Sequence, residues 1–225
     1  MKSSNDIPPQ HTGDRSDVEE HIETSTPRQA HSTFVEASRR LLGINEWKDL
    51  SGPLSASFLL TDNSGNKLDR APKPGDFIRI NIPGPGTATG EGYDWVRIES
   101  IDDRPNPAGN EESLAMRVRP VASPVNNEQD VAHFFDDTAT STFMIERKDL
   151  RVTASVHGRN EQPNKDVERP VDKMRNAVVA NMATSGVAAR QWSHARIHGR
   201  PWPTHCLSGS VRRGPAARKG MGGAM

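Results

Sequence analysis

Between Leu54 and His157 the chain alternates apolar and polar residues again and again, and this period of two limits the fold more than any other feature. Successive strand side chains point to opposite faces of a sheet, so alternation marks a strand with one buried and one wet face. DFIRINI sets Ile78, Ile80 and Ile82 against Phe77, Arg79 and Asn81. YDWVRIES sets Val96 and Ile98 against Tyr93, Trp95, Arg97 and Glu99, and SLAMRVRP sets Leu114, Met116 and Val118 against Arg117 and Arg119. Upstream, LSASFLL runs into the turn-rich TDNSGN; downstream, STFMIER and LRVTASVH meet at Lys148–Asp149, the spacing of a tight hairpin. Half-wet strands belong to antiparallel sheets, whereas parallel strands are buried on both faces and read as continuous apolar runs. About six such strands with no helix between them predict a mainly β fold, an antiparallel β-barrel or sandwich.

Helices are predicted only at the flanks. Thr33 and Glu36 have the spacing of a capping box, and Phe34, Ala37, Leu41 and Leu42 share one helical face ahead of Gly43, which predicts a helix over 32–42. In RPVDKMRNAVVANMATSG, Pro170 suits a first turn and Gly186 a stop, with Val171, Met174, Val178 and Met182 in one stripe. That second helix would close one mouth or side of the barrel. Residues 1–30 are polar, aperiodic and proline-containing, a disordered leader by this reading. Residues 31–186 then form a single β-rich domain with terminal helices, and 187–225 a basic, disordered tail.

The net charge of zero hides an asymmetry. Residues 1–30 hold three basic and six acidic side chains, residues 31–172 hold 17 and 23, and residues 173–225 hold nine Lys or Arg and no acid. An acidic body disfavours nucleic acid, because backbone affinity comes from phosphate neutralisation. The basic ending suits an anionic partner or a solvated extension, and its acid-free, aperiodic composition also resembles the product of a shifted reading frame. The lone Cys206 excludes an intramolecular disulfide. The N-terminus has no apolar signal region, and no apolar run reaches the roughly 18 residues of a membrane helix, so a cytoplasmic protein that does not engage membranes is expected.

The glycine-rich NIPGPGTATGEGYDWVRI invites a phosphate-binding reading, which fails on three counts. Thr89 stands where a P-loop needs its second glycine and where a dinucleotide fingerprint needs its third, no Lys follows Gly90, and the next element is a strand. Without a helix N-terminus the aligned donors and dipole are missing, so the loop is read as a corner. No G-x-S-x-G elbow is present. His133, Asp136, Asp137 and Ser141 could be drawn as a hydrolase constellation, but a turn with solvated acids is the stronger reading. His194, His198, His205 and Cys206 sit among Gly199, Pro201 and Pro203 without a helical stripe, so neither a metal site nor a cofactor is expected.

The feature that does suggest binding is the polar sheet face. If the alternating strands are neighbours, Phe77, Arg79, Tyr93, Trp95, Arg97, Arg117 and Arg119 share one side. Such a face suits a non-enzymatic binding or scaffolding domain with a protein or other polar partner. Aromatics interleaved with arginines can also stack bases, as in small barrels that hold single strands. The plainer alternative pairs the arginines across strands with Glu99 or Glu112.

The segments INIPGPG, EGYDWVRIE, AMRVRPVASP, AHFFDDTATSTFMIER and HGRNEQPN resemble a family of small, uncharacterised bacterial proteins over about residues 40–185. The resemblance implies one β-rich domain followed by a helical end. It brings no activity, cofactor or site residue with it.

Overall fold

The computed structural model describes residues 6–47, 56–81, 90–126 and 129–164. Seven strands make one antiparallel sheet: β1 (Asp14–Glu23), β2 (Ser57–Thr61), β3 (Phe77–Asn81), β4 (Asp94–Arg104), β5 (Glu111–Pro120), β6 (Thr140–Lys148) and β7 (Arg151–Glu161). Their order across the sheet is β1-β7-β6-β5-β4-β3-β2. From β2 to β7 the chain is therefore a meander, with β1 added beside β7. To pass from β1 at one edge to β2 at the other, the chain must cross the sheet. It does so through α1 (Pro27–Leu42), which packs on β6 and β7, and a single 3-10 turn, Ile44–Glu46, which packs on β2.

The alternation seen in the sequence sorts the faces. Ile78, Ile80, Val96, Ile98, Leu114, Met116, Val118, Phe143, Ile145, Val152 and Val156 turn toward α1 and are buried. Ala30, Phe34, Ala37 and Leu41 meet them from the helix, followed by Ile44 and Trp47. Trp47 packs edge-on against Phe58 at 5.2 Å between centroids and tilts over Phe143 at 5.6 Å. An apolar helix stripe laid on one sheet face is thus the core.

The mainly β, antiparallel class holds, but the sheet is open: β1 and β2 are its two edges, and it is neither a barrel nor a sandwich. The second layer that the sequence reading assigned to more strands is supplied by α1. That helix starts five residues earlier than expected. Thr26 is its cap, in extended conformation, accepting from the Gln29 N–H at 3.2 Å, while the Gln29 side chain accepts from the Ser25 N–H at 3.1 Å and Pro27 takes the first position. Thr33 is instead a buried residue of the helix, and Glu36 is taken by Arg39 and Arg40. The first turns carry little beyond Ala30 on the buried face, so the apolar stripe begins late in the sequence. The end at Gly43 is as expected.

The larger correction is β1, which lies inside the segment read as a disordered leader. Only Val18 and Ile22 turn to the core, opposite Val156 and Val152 of β7. Acids fill most of the other positions. An edge strand can be this polar because backbone pairing with β7 supplies what apolar burial does not. Ahead of it, Asp6 pairs with Arg104 at 2.9 Å, and the His11 N–H donates to Asn160 Oδ1 at 2.7 Å. The hairpin between β6 and β7 turns at Asp149–Leu150, one residue later than expected, with Asp149 in the left-handed region at φ 54°. The helix expected over 170–186 and the tail 187–225 lie outside the described residues.

Candidate functional site

The face turned away from α1 carries the residues singled out by the sequence. Across the ladders, Phe77 lies opposite Arg97 and Arg97 opposite Arg119, while Arg79 lies opposite Trp95. Tyr93 immediately precedes β4. The strands are neighbours, as the shared-face reading required, yet the seven residues do not form one wet surface.

Trp95 is buried, only 1% exposed. Its backbone N–H donates to Ala132 O at 2.7 Å, and its carbonyl accepts from the Val121 N–H at 3.1 Å. The β5–β6 connection therefore runs against β4 at this point. From the other side, a Cβ at Gly65 (φ +77°) would stand 2.4 Å from Val125 Cγ1 and 3.9 Å from Trp95 Cη2. The turn after β2 thus lies close to the ring, and its burial removes it as a stacking platform. No local sequence signal gives this, because the covering segments come from two distant connections.

Arg117 and Arg119 are held by Glu99. A register shift between Ile98 and Ser100 makes a bulge at Glu99, so the apolar residues there, Ile98 and Ile101, are three apart and the carboxylate is turned out. Arg117 Nε donates to Glu99 at 2.7 Å, Arg119 Nε donates to the other carboxylate oxygen, and Arg119 Nη1 also reaches Asp137 O at 2.6 Å. Burial works to raise the Glu99 carboxyl, but the hydrogen bonds and charges of Arg119 and Arg117 outweigh it and hold it below the usual range. The pairing expected with Glu99 is thus present. Glu112 is on the opposite face.

What stays accessible is a smaller patch on β3 and β4. The Arg79 guanidinium lies 4.4 Å from the Tyr93 ring centroid, a cation–π stack. Phe77 and Tyr93 are half-buried and Arg97 is exposed. Among the described residues no hydrogen bond or ion pair engages the Arg97 side chain. The glycine loop joins β3 to β4, adjacent antiparallel strands, so it does turn a corner. Of it, Gly90–Tyr93 form a closed turn, with the Tyr93 N–H donating to Gly90 O at 3.0 Å; residues 82–89 lie outside the described residues.

At the other end of this face is a cluster the sequence could not assemble, because it joins β7 to β1. His157 Nδ1 lies 2.6 Å from Asp17 Oδ1 and its Nε2 3.0 Å from Ser155 Oγ; Arg159 Nη2 lies 2.7 Å from the same Asp17 oxygen. Serine, histidine and aspartate in hydrogen-bond series invite a hydrolase reading. Ser155, however, sits in an interior strand, opposite Glu19 on one side and Met144 on the other. Its neighbouring N–H groups are committed to ladders, so no pair of donors is left to hold an oxyanion. The series serves as cross-strand polar pairing.

The constellation drawn around His133 does not converge. His133 is buried, and burial pushes its pKa down to about 3; its Nδ1 accepts from the Phe135 N–H at 3.0 Å. Asp136 accepts from the Thr138 N–H at 3.0 Å, and Ser141 lies on β6 opposite Val118. On the core face, Glu112 and Arg147 form an ion pair with side chains 0% and 1% exposed. His31 Nδ1, 2.9 Å away, and the Asn106 N–H, at 3.2 Å, also bind Glu112, while Arg147 Nη2 donates to Asn106 O and Gly109 O at 3.2 and 2.8 Å. This network locks α1 and the β4–β5 turn to the sheet end. Among the described residues no group of three His, Cys, Asp or Glu is placed to hold a metal; His194, His198, His205 and Cys206 lie outside them. Nor is any described helix long and apolar enough to cross a membrane.

No protein-family model and no curated protein matches the chain. Similar solved structures include Ara h 8.0201, 14% identical over 76% of this chain and 92% of that one, with a TM-score of 0.32. The major latex-like protein 151 from Panax ginseng is 13% identical over 78% and 100%, with a TM-score of 0.34. A protein from Arthrobacter aurescens solved by NMR is 14% identical over 81% and 93%, with a TM-score of 0.31. Likenesses at these scores bear on neither activity nor ligand.

Proposed function

We propose that this is a non-enzymatic binding domain that engages an acidic segment of a protein partner through Phe77, Arg79, Tyr93 and Arg97. The observation that carries the reading is the contrast among the arginines. Arg117 and Arg119 share the Glu99 carboxylate, whereas Arg97 is exposed with no side-chain partner among the described residues and Arg79 lies over an aromatic ring. Half-exposed aromatics beside uncompensated guanidinium groups suit carboxylates carried on a peptide, where Arg and Tyr supply most of the binding energy. A single strand of nucleic acid is less well served, since Trp95 is not available for stacking. A cytoplasmic setting, where a lone cysteine stays reduced, belongs to the same proposal.

The test is fluorescence anisotropy of a labelled Glu-rich peptide and of a labelled single-stranded DNA, each titrated with the full chain. The peptide should bind, and Arg97→Ala together with Tyr93→Ala should weaken it by roughly tenfold or more, a loss of about 1.4 kcal/mol, with the unfolding midpoint unchanged. Peptide binding indifferent to both substitutions, or DNA bound more tightly than peptide with a steep salt slope, would overturn the reading.

A further inference from the structure

The segment ahead of β1 is held at two distant points of the sheet. At one, Asp6 takes both Nη groups of Arg104, at 3.1 and 2.9 Å. Arg104 lies opposite Ser113 across the β4–β5 ladder, on the face turned away from α1, since the next residue of β5, Leu114, belongs to the core. At the other, residues 9–12 are tied to Asn160 near the end of β7. Its Oδ1 accepts from the His11 and Thr12 N–H groups at 2.7 and 3.1 Å, and its Nδ2 donates to Pro9 O at 3.3 Å. Its own N–H donates to Gln10 Oε1 at 3.0 Å. Strands β5 and β6 separate β4 from β7. With only Ile7 and Pro8 between the anchors, the segment must pass directly over those two strands, as a strap.

The two sides of this contact are unequal. None of the strap is buried: Asp6, Ile7 and Pro8 are half-buried and residues 9–12 are exposed. A segment with so few buried groups opens at little cost. The receiving side is built. Asn160 is buried, 8% exposed, and sits at φ 55°, a left-handed conformation of the kind found at ligand clamps. Both ends of its side-chain amide meet strap backbone, so it grips an extended chain and not one particular side chain. Arg104 also holds Asp102 of its own strand, which keeps its charge paired when Asp6 leaves. Gly13, at φ 64°, turns the chain from the strap into β1 and gives the strap a pivot.

We propose that this face carries a site for an extended peptide of a protein partner, gripped at a carboxylate by Arg104 and at the backbone by Asn160, and that residues 6–12 occupy it in the free chain. The ligand class is a segment resembling the strap: an acid, a proline pair that keeps the chain extended and limits the entropy lost on docking, then free backbone N–H groups. This goes beyond the partner-binding reading of the β3–β4 patch and shares none of its residues, so either can fail while the other stands.

Fluorescence anisotropy of a labelled, end-capped peptide DIPPQHTG, residues 6–13, titrated with the full chain, tests it. The parent chain should bind weakly, because its own strap competes at high effective concentration. Asp6→Ala with Gln10→Ala loosens the strap and leaves the receiving groups intact, so the peptide should then bind roughly tenfold tighter. Adding Asn160→Gly or Arg104→Gln to that chain should weaken the peptide again by roughly tenfold or more. Glycine accepts φ 55° without strain, so Asn160→Gly removes the clamp and the unfolding midpoint should hold. Arg104→Gln alters a half-buried surface residue and carries the test independently. A scrambled peptide of the same composition should not bind. Absence of binding in the loosened chain, binding that both Asn160→Gly and Arg104→Gln leave unchanged, or equal binding of the scrambled peptide would overturn the proposal.

Discussion

Strand β5 carries two arginine–carboxylate clusters, one on each face. Toward α1, Glu112 meets Arg147 with neither side chain in contact with solvent. Away from α1, Arg117 and Arg119 share Glu99, with side chains 28%, 33% and 25% exposed. The groups are the same and their surroundings are not. Inside, Arg147 donates to Glu112 and to carbonyls of both adjoining turns, Asn106, Gly109 and Asp149, while His31 of α1 meets the same carboxylate, and desolvation makes the pair intolerant of losing either member. Outside, water screens the pair, and Arg119 keeps N–H donors beyond those given to Glu99 and Asp137. Buried charge in this molecule is architecture; half-buried charge keeps its dealings with water.

The comparison breaks first at the buried pair. Arg147→Met leaves the Glu112 carboxylate without its cation, and a loss of about 3–5 kcal/mol is expected, read from chemical denaturation. Pairing it with Glu112→Leu should recover most of that loss. If the single change costs less than about 1 kcal/mol, the two faces do not differ as described.

Acid provides the next probe, through the buried His133 and with the sign fixed by its direction. Its folded pKa, about 3, lies below the ordinary value of 6.5, so the unfolded chain takes up the proton first. Stability contributed by the neutral ring is complete above pH 6.5 and falls by about 1.4 kcal/mol per pH unit from there toward about pH 3. His133→Asn keeps an acceptor for the Phe135 N–H and removes the titration. The difference between the two proteins' stability curves should open below pH 6.5 and then level off. Glu99 and Glu112, both held below the usual carboxylate range, lose their contribution in the acid limb of either protein and cancel in the difference.

The smallest effect belongs to the outer cluster. Glu99→Gln should cost only about 1 kcal/mol, as a partly screened pair does, and the unfolding midpoint measured at low and high salt should show that cost shrinking as salt rises. A loss as large as that of Arg147→Met would erase the contrast between the faces.

How much of this was legible in the sequence follows from where each signal sits. The strands β2 to β7 were readable because each contains its own alternation. The end of α1 at Gly43 was readable for the same local reason, and so was the link from Glu99 to the arginines of β5. What was not readable depends on distant partners. β1 takes its identity from β7, since Val18 and Ile22 alone would not mark a strand. Trp95 looks wet by alternation, yet it is buried, with the turn at Gly65 close to its ring and the β5–β6 connection bonded to its backbone. The open sheet was misread as closed because period two reports which face is wet, never whether the two edges meet. The cluster of Asp17, Ser155, His157 and Arg159 combines both failures, lying on a strand not foreseen and across a pairing of long range.

The acidity of β1 has a further consequence for how copies of this protein behave toward one another. Among the described residues no strand pairs with the outer border of β1, and the strand carries Asp14, Asp17, Glu19, Glu20 and Glu23. Two such borders repel, which discourages the sheet from growing from molecule to molecule. A chain shortened to start at residue 31, where the sequence alone would draw the boundary, would lose this guard and bare β7, with Val152 and Val156 along its length, as a sticky margin for aggregation.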